Sequence, residues 1–232
     1  MYARIRFDFM RLVLFDIDGT LIDSGEAGTR SLDLAFKELF SVENAFHGIS
    51  MAGKTDTQIM KEGLLRHGIY LNGNLIRIIN TYLQHLKREI NNSSKHIKQG
   101  IYEILEKLSL MENIKLGLLT GNLEPGARIK LEPFSLNKYF QSGAFGSDDE
   151  DRDKLLPVAK SRFEKLYGSK IDFRDCVVIG DTPRDVYCAK PYGAISVGVA
   201  TGQYPADKLK EAGADYVFEN FSEHSSLLRM FG

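Results

Sequence analysis

Two stretches of this chain place carboxylates where apolar runs end. In "RLVLFDIDGTLIDS" (residues 11–24) the run stops at Asp16, and Asp18 follows after a single isoleucine. In "VVIGDTPRD" (177–185) a second run passes through Gly180 to Asp181, with Asp185 four residues further on. A lone aspartate after a strand reads equally well as a turn residue that bonds nearby backbone amides. Two aspartates held close repel unless a cation, a shared proton or hydrogen-bond donors offset them. If both runs are strands near the centre of one sheet, Asp16, Asp18, Asp181 and Asp185 converge into a set of hard oxygens suited to magnesium. That cation keeps several waters and leaves room for a substrate phosphate. Asp185 has a second reading, as an acidic residue in the first turn of a helix that favours the macrodipole and braces the loop.

Two further stretches supply what a phosphate would need. "IKLGLLTGN" ends in Thr120, Gly121 and Asn122 just before Glu124-Pro125 open a helix, so a hydroxyl, a permissive glycine and exposed amides form an anion cradle. "DDEDRDKLLPVAKSR" sets Arg152 and Lys154 ahead of a helix marked by Pro157. Charges of this kind are usually solvated. A phosphoryl group among four carboxylates, however, requires a fixed positive charge to hold it.

The elements that must position these residues follow from the apolar patterning. Short β-rich runs at Leu12–Phe15, Lys115–Leu119, Cys176–Ile179, Ile195–Val199 and Tyr216–Phe218, and more weakly "GAFG" at 143–146, predict strands. Between them, 100–111, 125–134, 154–168 and 205–213 predict helices. The alternation is that of an α/β chain with a parallel sheet covered on both faces. From Gly25 to about Ile97 no strand is predicted. Apolar residues there recur at helical spacing in "SLDLAFKELF", "TDTQIMKEGLL" and "GNLIRIINTYLQHLKREI", and the polar "NNSSKH" (91–96) leads back to the α/β pattern. This stretch reads as an inserted helical domain.

Composition narrows the partners. The 232 residues are 43% hydrophobic and carry 30 basic against 31 acidic side chains, a net charge of −1, so there is no basic footprint for nucleic acid. No apolar stretch approaches the roughly 20 residues of a membrane span, and "MYARIRFDFM" is too short and too charged for a signal peptide. The expectation is a cytoplasmic protein, monomer or homodimer, acting on a small molecule, with no nucleic acid or membrane partner. Cys176 and Cys188 match neither a disulfide framework nor a zinc motif and read as core residues. The segment before Arg11 reads as a ragged extension, since Met10 could serve equally well as a start.

In order along the chain, "DIDGT" (16–20), Thr120 at the end of an apolar strand, a basic residue before a helix, and "GDTPRD" (180–185) resemble the four motifs of the haloacid dehalogenase-like superfamily. The helical stretch resembles the C1 cap of its phosphoglycolate phosphatase and β-phosphoglucomutase branch, and "MAGKTD" (51–56) resembles the substrate-facing loop of that cap. The resemblance implies a Rossmann-like core domain (1–24 and 98–232) with a cap domain (25–97) above it. It implies a magnesium-dependent phosphatase acting on a small phosphorylated metabolite such as phosphoglycolate, a sugar phosphate or a nucleotide. Asp16 would be the nucleophile that carries an aspartyl-phosphate, and Asp18 the acid that protonates the leaving alkoxide and then activates water. Magnesium would be held by Asp16, the backbone carbonyl of Asp18, and Asp181, with Asp185 in support. Thr120 and the amides of Gly121 and Asn122 would bind phosphoryl oxygens.

The family's third motif is a lysine three residues ahead of a proline, as Lys154 is to Pro157, whereas relatives resembling "DRxxLxP" use the arginine, here Arg152; the first match is favoured. From the cap, Gly53, Lys54 and Thr55 would face the leaving group, against the alternative that Gly53 is a loop glycine and Lys54 a solvated charge. A phosphomutase on the same scaffold is the main rival. A phosphonate hydrolase would need Lys54 as a Schiff base. A dehalogenase has no alkoxide for Asp18 to protonate, and a non-catalytic scaffold would leave the full acidic set without a purpose.

Overall fold

The computed structural model describes residues 10–231, so the expected ragged extension, apart from Met10, lies outside the described residues. In chain order the elements are β1 (Arg11–Phe15), β2 (Ile22–Asp23), α1 (Ala27–Phe40), α2 (Asp56–Arg66), α3 (Asn74–Glu89), β3 (His96–Ile97), α4 (Ile101–Ser109) and β4 (Ile114–Thr120). They continue with α5 (Glu124–Leu131), β5 (Gly143–Phe145), α6 (Leu155–Tyr167), β6 (Cys176–Gly180), α7 (Pro183–Ala189), β7 (Ile195–Val199), α8 (Ala206–Glu211), β8 (Tyr216–Phe218) and α9 (His224–Leu228).

Six strands form one parallel sheet in the order β5-β4-β1-β6-β7-β8. The strand at its centre, β1, is buried from Leu12 to Phe15, which is why its sequence is continuously apolar instead of alternating. Val13 and Phe15 face a cluster with Ile104, Leu105 and Leu118 under α4 and α5. Leu12 and Leu14 face the opposite cluster with Leu156, Phe163 and Cys188 under α6 and α7. Both cysteines are buried, and burial pushes both thiols up to about 12, as fits inert core residues. The chain runs outward through β4 and β5 and then returns to β6 on the other side of β1. The carboxyl ends of β4, β1 and β6 therefore flank the crevice where an open α/β sheet reverses direction.

The helices α1, α2 and α3 enclose an apolar cluster of their own, built on Phe36, Phe46, Met60, Ile78 and Tyr82. Two of their boundaries have plain local causes. Thr55 caps α2 by accepting from Gln58 N at 3.2 Å, and Gln58 reaches back to the Thr55 amide. Gly73, with φ at +72°, precedes α3. The stretch 25–97 is not free of strand. His96 and Ile97 pair antiparallel with Ile22 and Asp23, so a two-residue ladder ties the exit from the sheet to the return. Two residues per strand are too few to leave a periodicity signal. Likewise α5 stops at Leu131 and passes into a 3₁₀ turn over Glu132–Phe134, because Pro133 has no N–H to extend the α-helical ladder.

Candidate functional site

The reversal of the sheet delivers the predicted groups to one place. Asp16 follows β1 directly, and its amide donates to Ile179 O at 2.9 Å across the neighbouring strand. Asp181 follows β6 in the same way, and Thr120 closes β4. These three, with Asp18, Gly121, Asn122, Lys130 and Arg152, line a cavity of about 430 Å³. Its other wall is Glu26, Gly28, Met51, Gly53, Lys54 and Tyr82 from the helical layer and its loops.

Carboxylate oxygens of Asp16, Asp181 and Asp185 all lie within 4.8 Å of one another, and all three residues are buried. Burial first, and then their mutual repulsion, pushes Asp181 well above the usual carboxylate range. Burial also raises Asp16 to about 6, opposed by the Arg152 guanidinium and by a hydrogen bond from Thr120. The Thr20 hydroxyl donates to Asp181 Oδ1 at 3.0 Å. A Cβ on Gly19, where φ is +83°, would collide with the Asp181 carboxylate, so the tight backbone of "DGT" makes room for it.

Asp185 is fully engaged: Oδ2 accepts from the Thr182 amide at 2.9 Å and hydroxyl at 2.8 Å, and Oδ1 pairs with Arg152. Of its two sequence readings the geometry favours the brace at the first turn of α7 over direct metal contact.

The cation of the cluster is Arg152. It is 3% exposed, with Nη2 at 3.3 Å from Asp16 Oδ1 and in contact with Asp185. Its Nη1 donates to Gly53 O at 3.3 Å, and its Nε has no partner among the described residues. Lys154 is the correction to the sequence reading. Its side chain is 61% exposed and lies 3.7 Å from Asp149 and Asp151 on the surface. The 3₁₀ turn Arg152–Lys154 ahead of α6 buries its first residue and turns the third outward, so distance to the proline misleads here.

Asp18 stands apart from this cluster. Its Oδ2 accepts from Lys130 Nζ at 2.6 Å and from Asn122 Nδ2 at 2.9 Å. Burial pushes the Asp18 carboxyl up, but the Lys130 charge and hydrogen bond and the Asn122 amide outweigh it and hold it below its usual value. Asn122 was expected to offer its backbone amide to an anion. That amide instead donates to Thr120 Oγ1 at 3.3 Å, while its side chain serves Asp18.

Lys130 was missed by the sequence reading. It lies in α5 on the stripe of Leu123, Ala127 and Leu131, all buried, at a position where an apolar residue would ordinarily sit. A lysine on the buried stripe of a helix was the available signal, since lysine is almost never fully buried unless paired.

Of the cap-loop candidates, Gly53 and Lys54 line the cavity, and Lys54 Nζ donates to Glu62 at 2.5 Å. Thr55 does not line it. Its side chain is buried, caps α2 and donates to Glu150 O at 3.0 Å, so its type reflects helix capping and not ligand contact. The loop is pressed closely onto the sheet's end. Asp56 N donates to Gly121 O at 2.7 Å, and Asp56 Oδ2 accepts from Leu123 N at 2.9 Å. A Cβ on Gly121 would overlap the Lys54 carbonyl oxygen, so glycine is what permits this approach. Burial raises the Asp56 carboxyl to about 6, opposed by Lys130.

Residues 13–199 match the family described as haloacid dehalogenase-like hydrolase. Among curated proteins, the chain is 24% identical over 231 residues to phosphoglycolate phosphatase of Aliivibrio fischeri, covering 97% of this chain and 99% of that one. It is 25% identical over 222 residues to pyrophosphatase PpaX of Oceanobacillus iheyensis, covering 92% and 94%. Among solved structures, CbbY from Rhodobacter sphaeroides in complex with phosphate superposes with a TM-score of 0.71 at 16% identity, covering 93% of this chain and 96% of that one, a likeness of fold.

Proposed function

The chain belongs to the haloacid dehalogenase-like hydrolase family, and from that premise we propose that it is a magnesium-dependent phosphatase of small phosphate monoesters, working through an aspartyl-phosphate on Asp16. The observation that carries the proposal is the division of two neighbouring carboxylates between two cations. Asp16 sits in the acidic cluster against Arg152, and Asp18, two residues later, is bound by Lys130.

Asp16 and Asp181 fit a divalent cation. They are buried, crowded and raised in pKa, and a single guanidinium is the only cation paired with their cluster among the described residues. Magnesium, held by Asp16, Asp181 and the Asp18 carbonyl, would supply neutralisation of Asp16 and of the phosphoryl oxygens. Asp185 would act one step back by fixing Arg152 and the Thr182 turn.

In the proposed reaction an Asp16 oxygen attacks phosphorus while the bond from phosphorus to the ester oxygen breaks. Asp18, which must enter this step protonated against the pull of Lys130, a demand that the negative charge of a bound phosphate ester eases, gives that oxygen its proton, and the alcohol leaves. Asp18 then takes a proton from water as the water attacks the same phosphorus, which releases inorganic phosphate and restores Asp16. Arg152 and Thr120, which line the cavity, would hold phosphoryl oxygens. The helical layer over residues 25–97 would act as a cap that excludes bulk water and sets the substrate, with Gly53 and Lys54 on the leaving-group side. The name of the phosphoglycolate phosphatase relative supports a small phosphate monoester as substrate class, and that of the pyrophosphatase relative adds pyrophosphate as a competing substrate.

The test is release of phosphate from p-nitrophenyl phosphate with and without magnesium, using Asp16→Asn as control. Magnesium-dependent release by the parent alone is expected. Release without magnesium, or equal release by the variant, would overturn the proposal.

A further inference from the structure

We propose that Lys130 is a positioning residue for Asp18, setting that carboxylate for proton transfer to the leaving group; the inference rests on the phosphatase reading above. Lys130 is 5% exposed, and its ammonium makes two hydrogen bonds of 2.6 Å, to Asp18 Oδ2 and to Asn122 Oδ1. Asn122 Nδ2 donates to the same Asp18 oxygen at 2.9 Å and to Thr120 Oγ1 at 2.9 Å. Lysine, asparagine and aspartate thus form a closed triangle, anchored through Thr120 to the end of β4.

Two donors converge on Oδ2 and restrain the rotation of the Asp18 side chain, and the Ser24 side chain adds a further hydrogen bond to the carboxylate. Without Lys130 and Asn122 the carboxylate would keep only the Ser24 hydrogen bond and gain freedom about its own side-chain bonds. A misplacement of this size matters, because catalytic groups act only within hydrogen-bond reach of the proton they move.

The position of Lys130 also separates its work from that of Arg152. Arg152 contacts Asp16 and Asp185, on the phosphoryl and metal side. Lys130 lies on the other side, beneath α1, where a Cβ on Gly28 would meet its Nζ at 3.4 Å. Its location is therefore at the junction of the sheet's end and the helical layer, where it lines the cavity. If Lys130 merely neutralised a buried acid, its loss would slow every substrate by one factor. A positioning role predicts a loss that grows with the basicity of the leaving group.

The experiment compares kcat/KM of the parent and Lys130→Met on p-nitrophenyl phosphate and on phenyl phosphate, with magnesium present. The first leaving group departs without a proton, and the second is much more basic. Because kcat/KM stops at the first irreversible step, it excludes the later hydrolysis common to both substrates. Lys130→Met is expected to lose about 10²-fold on phenyl phosphate and less than about tenfold on p-nitrophenyl phosphate, in keeping with the usual contribution of general acid catalysis. Equal losses on both esters, or none, would overturn the role of Lys130 while leaving the phosphatase reading intact. A parent inactive on both would overturn that reading, and this role with it. Should the methionine variant fail to fold, Lys130→Gln, whose amide nitrogen is one bond too short to hold the 2.6 Å contact with Asp18, is measured in the same way, with the same ratio of losses expected.

Discussion

The floor and the roof of the cavity are held by different physics. On the floor, at the carboxyl ends of β1, β4 and β6, carboxylates face cations: Asp16 and Asp185 share Arg152, and Asp18 has Lys130. In the roof, the loop before α2 meets the floor largely through main-chain groups. Asp56 N bonds Gly121 O, Gly53 O accepts from Arg152, and the buried carboxylate of Asp56 accepts from the Leu123 amide. Charge matching fixes which residue must stand at each floor position. Main-chain contacts fix only that the loop comes close, and they leave its side chains free to vary with the substrate.

The contrast breaks first at the floor. Asp16→Asn is expected to abolish phosphate release, and Asp18→Asn to reduce it by about 10²–10⁴-fold, the usual span for loss of general acid–base catalysis. Steady-state rates on p-nitrophenyl phosphate and on an alkyl phosphate read both effects. Parent-like rates from either variant would remove covalent catalysis by this pair.

Next in size is the choice of cation. Arg152→Met is expected to cost about 10²–10³-fold in kcat, the range seen when one preorganised oxyanion donor is lost. Lys154→Ala, on the exposed side of the same turn, is expected to stay within about twofold, as surface charges do. The reverse ranking would restore Lys154 to the site.

The smallest effect lies in the roof and concerns stability. The folded-state pKa of Asp56 is raised from 3.8 to about 6, chiefly by burial, so its charge destabilises the fold. That cost is absent below about pH 4 and complete once the pH has risen through about 6. Asp56→Asn keeps an acceptor for the Leu123 amide without the charge. It is therefore expected to be more stable than the parent by on the order of 2–3 kcal/mol at pH 8 and equally stable near pH 4. Urea unfolding at the two pH values checks this. A difference that does not change with pH would show that the Asp56 charge is already matched.

The same contrast explains what the sequence could reveal. Asp16, Thr120 and Asp181 were legible because each ends a run of buried strand residues, and a charge or hydroxyl at such an end has few structural uses. All six strands of the main sheet were legible for the same reason. The pair β2 and β3 was not, because two residues carry no period. Arg152 and Lys154 lie two residues apart in one 3₁₀ turn, and only the packing of that turn against α7 decides which is buried. Lys130 was hidden by its setting in an ordinary helix, where its burial depends on α5 folding back over Asp18. Thr55 misled in the other direction, since a helix cap and a ligand contact call for the same hydroxyl.

The central claim is that Asp16 becomes phosphorylated, and the most direct measurement is acid quenching during turnover of p-nitrophenyl phosphate with magnesium, followed by peptide mass analysis. The account predicts one added phosphoryl group on the peptide containing Asp16, absent from Asp16→Asn and more abundant in Asp18→Asn, where hydrolysis of the intermediate is slowed. Phosphate release with no labelled peptide, or with the label on a residue other than Asp16, would contradict it.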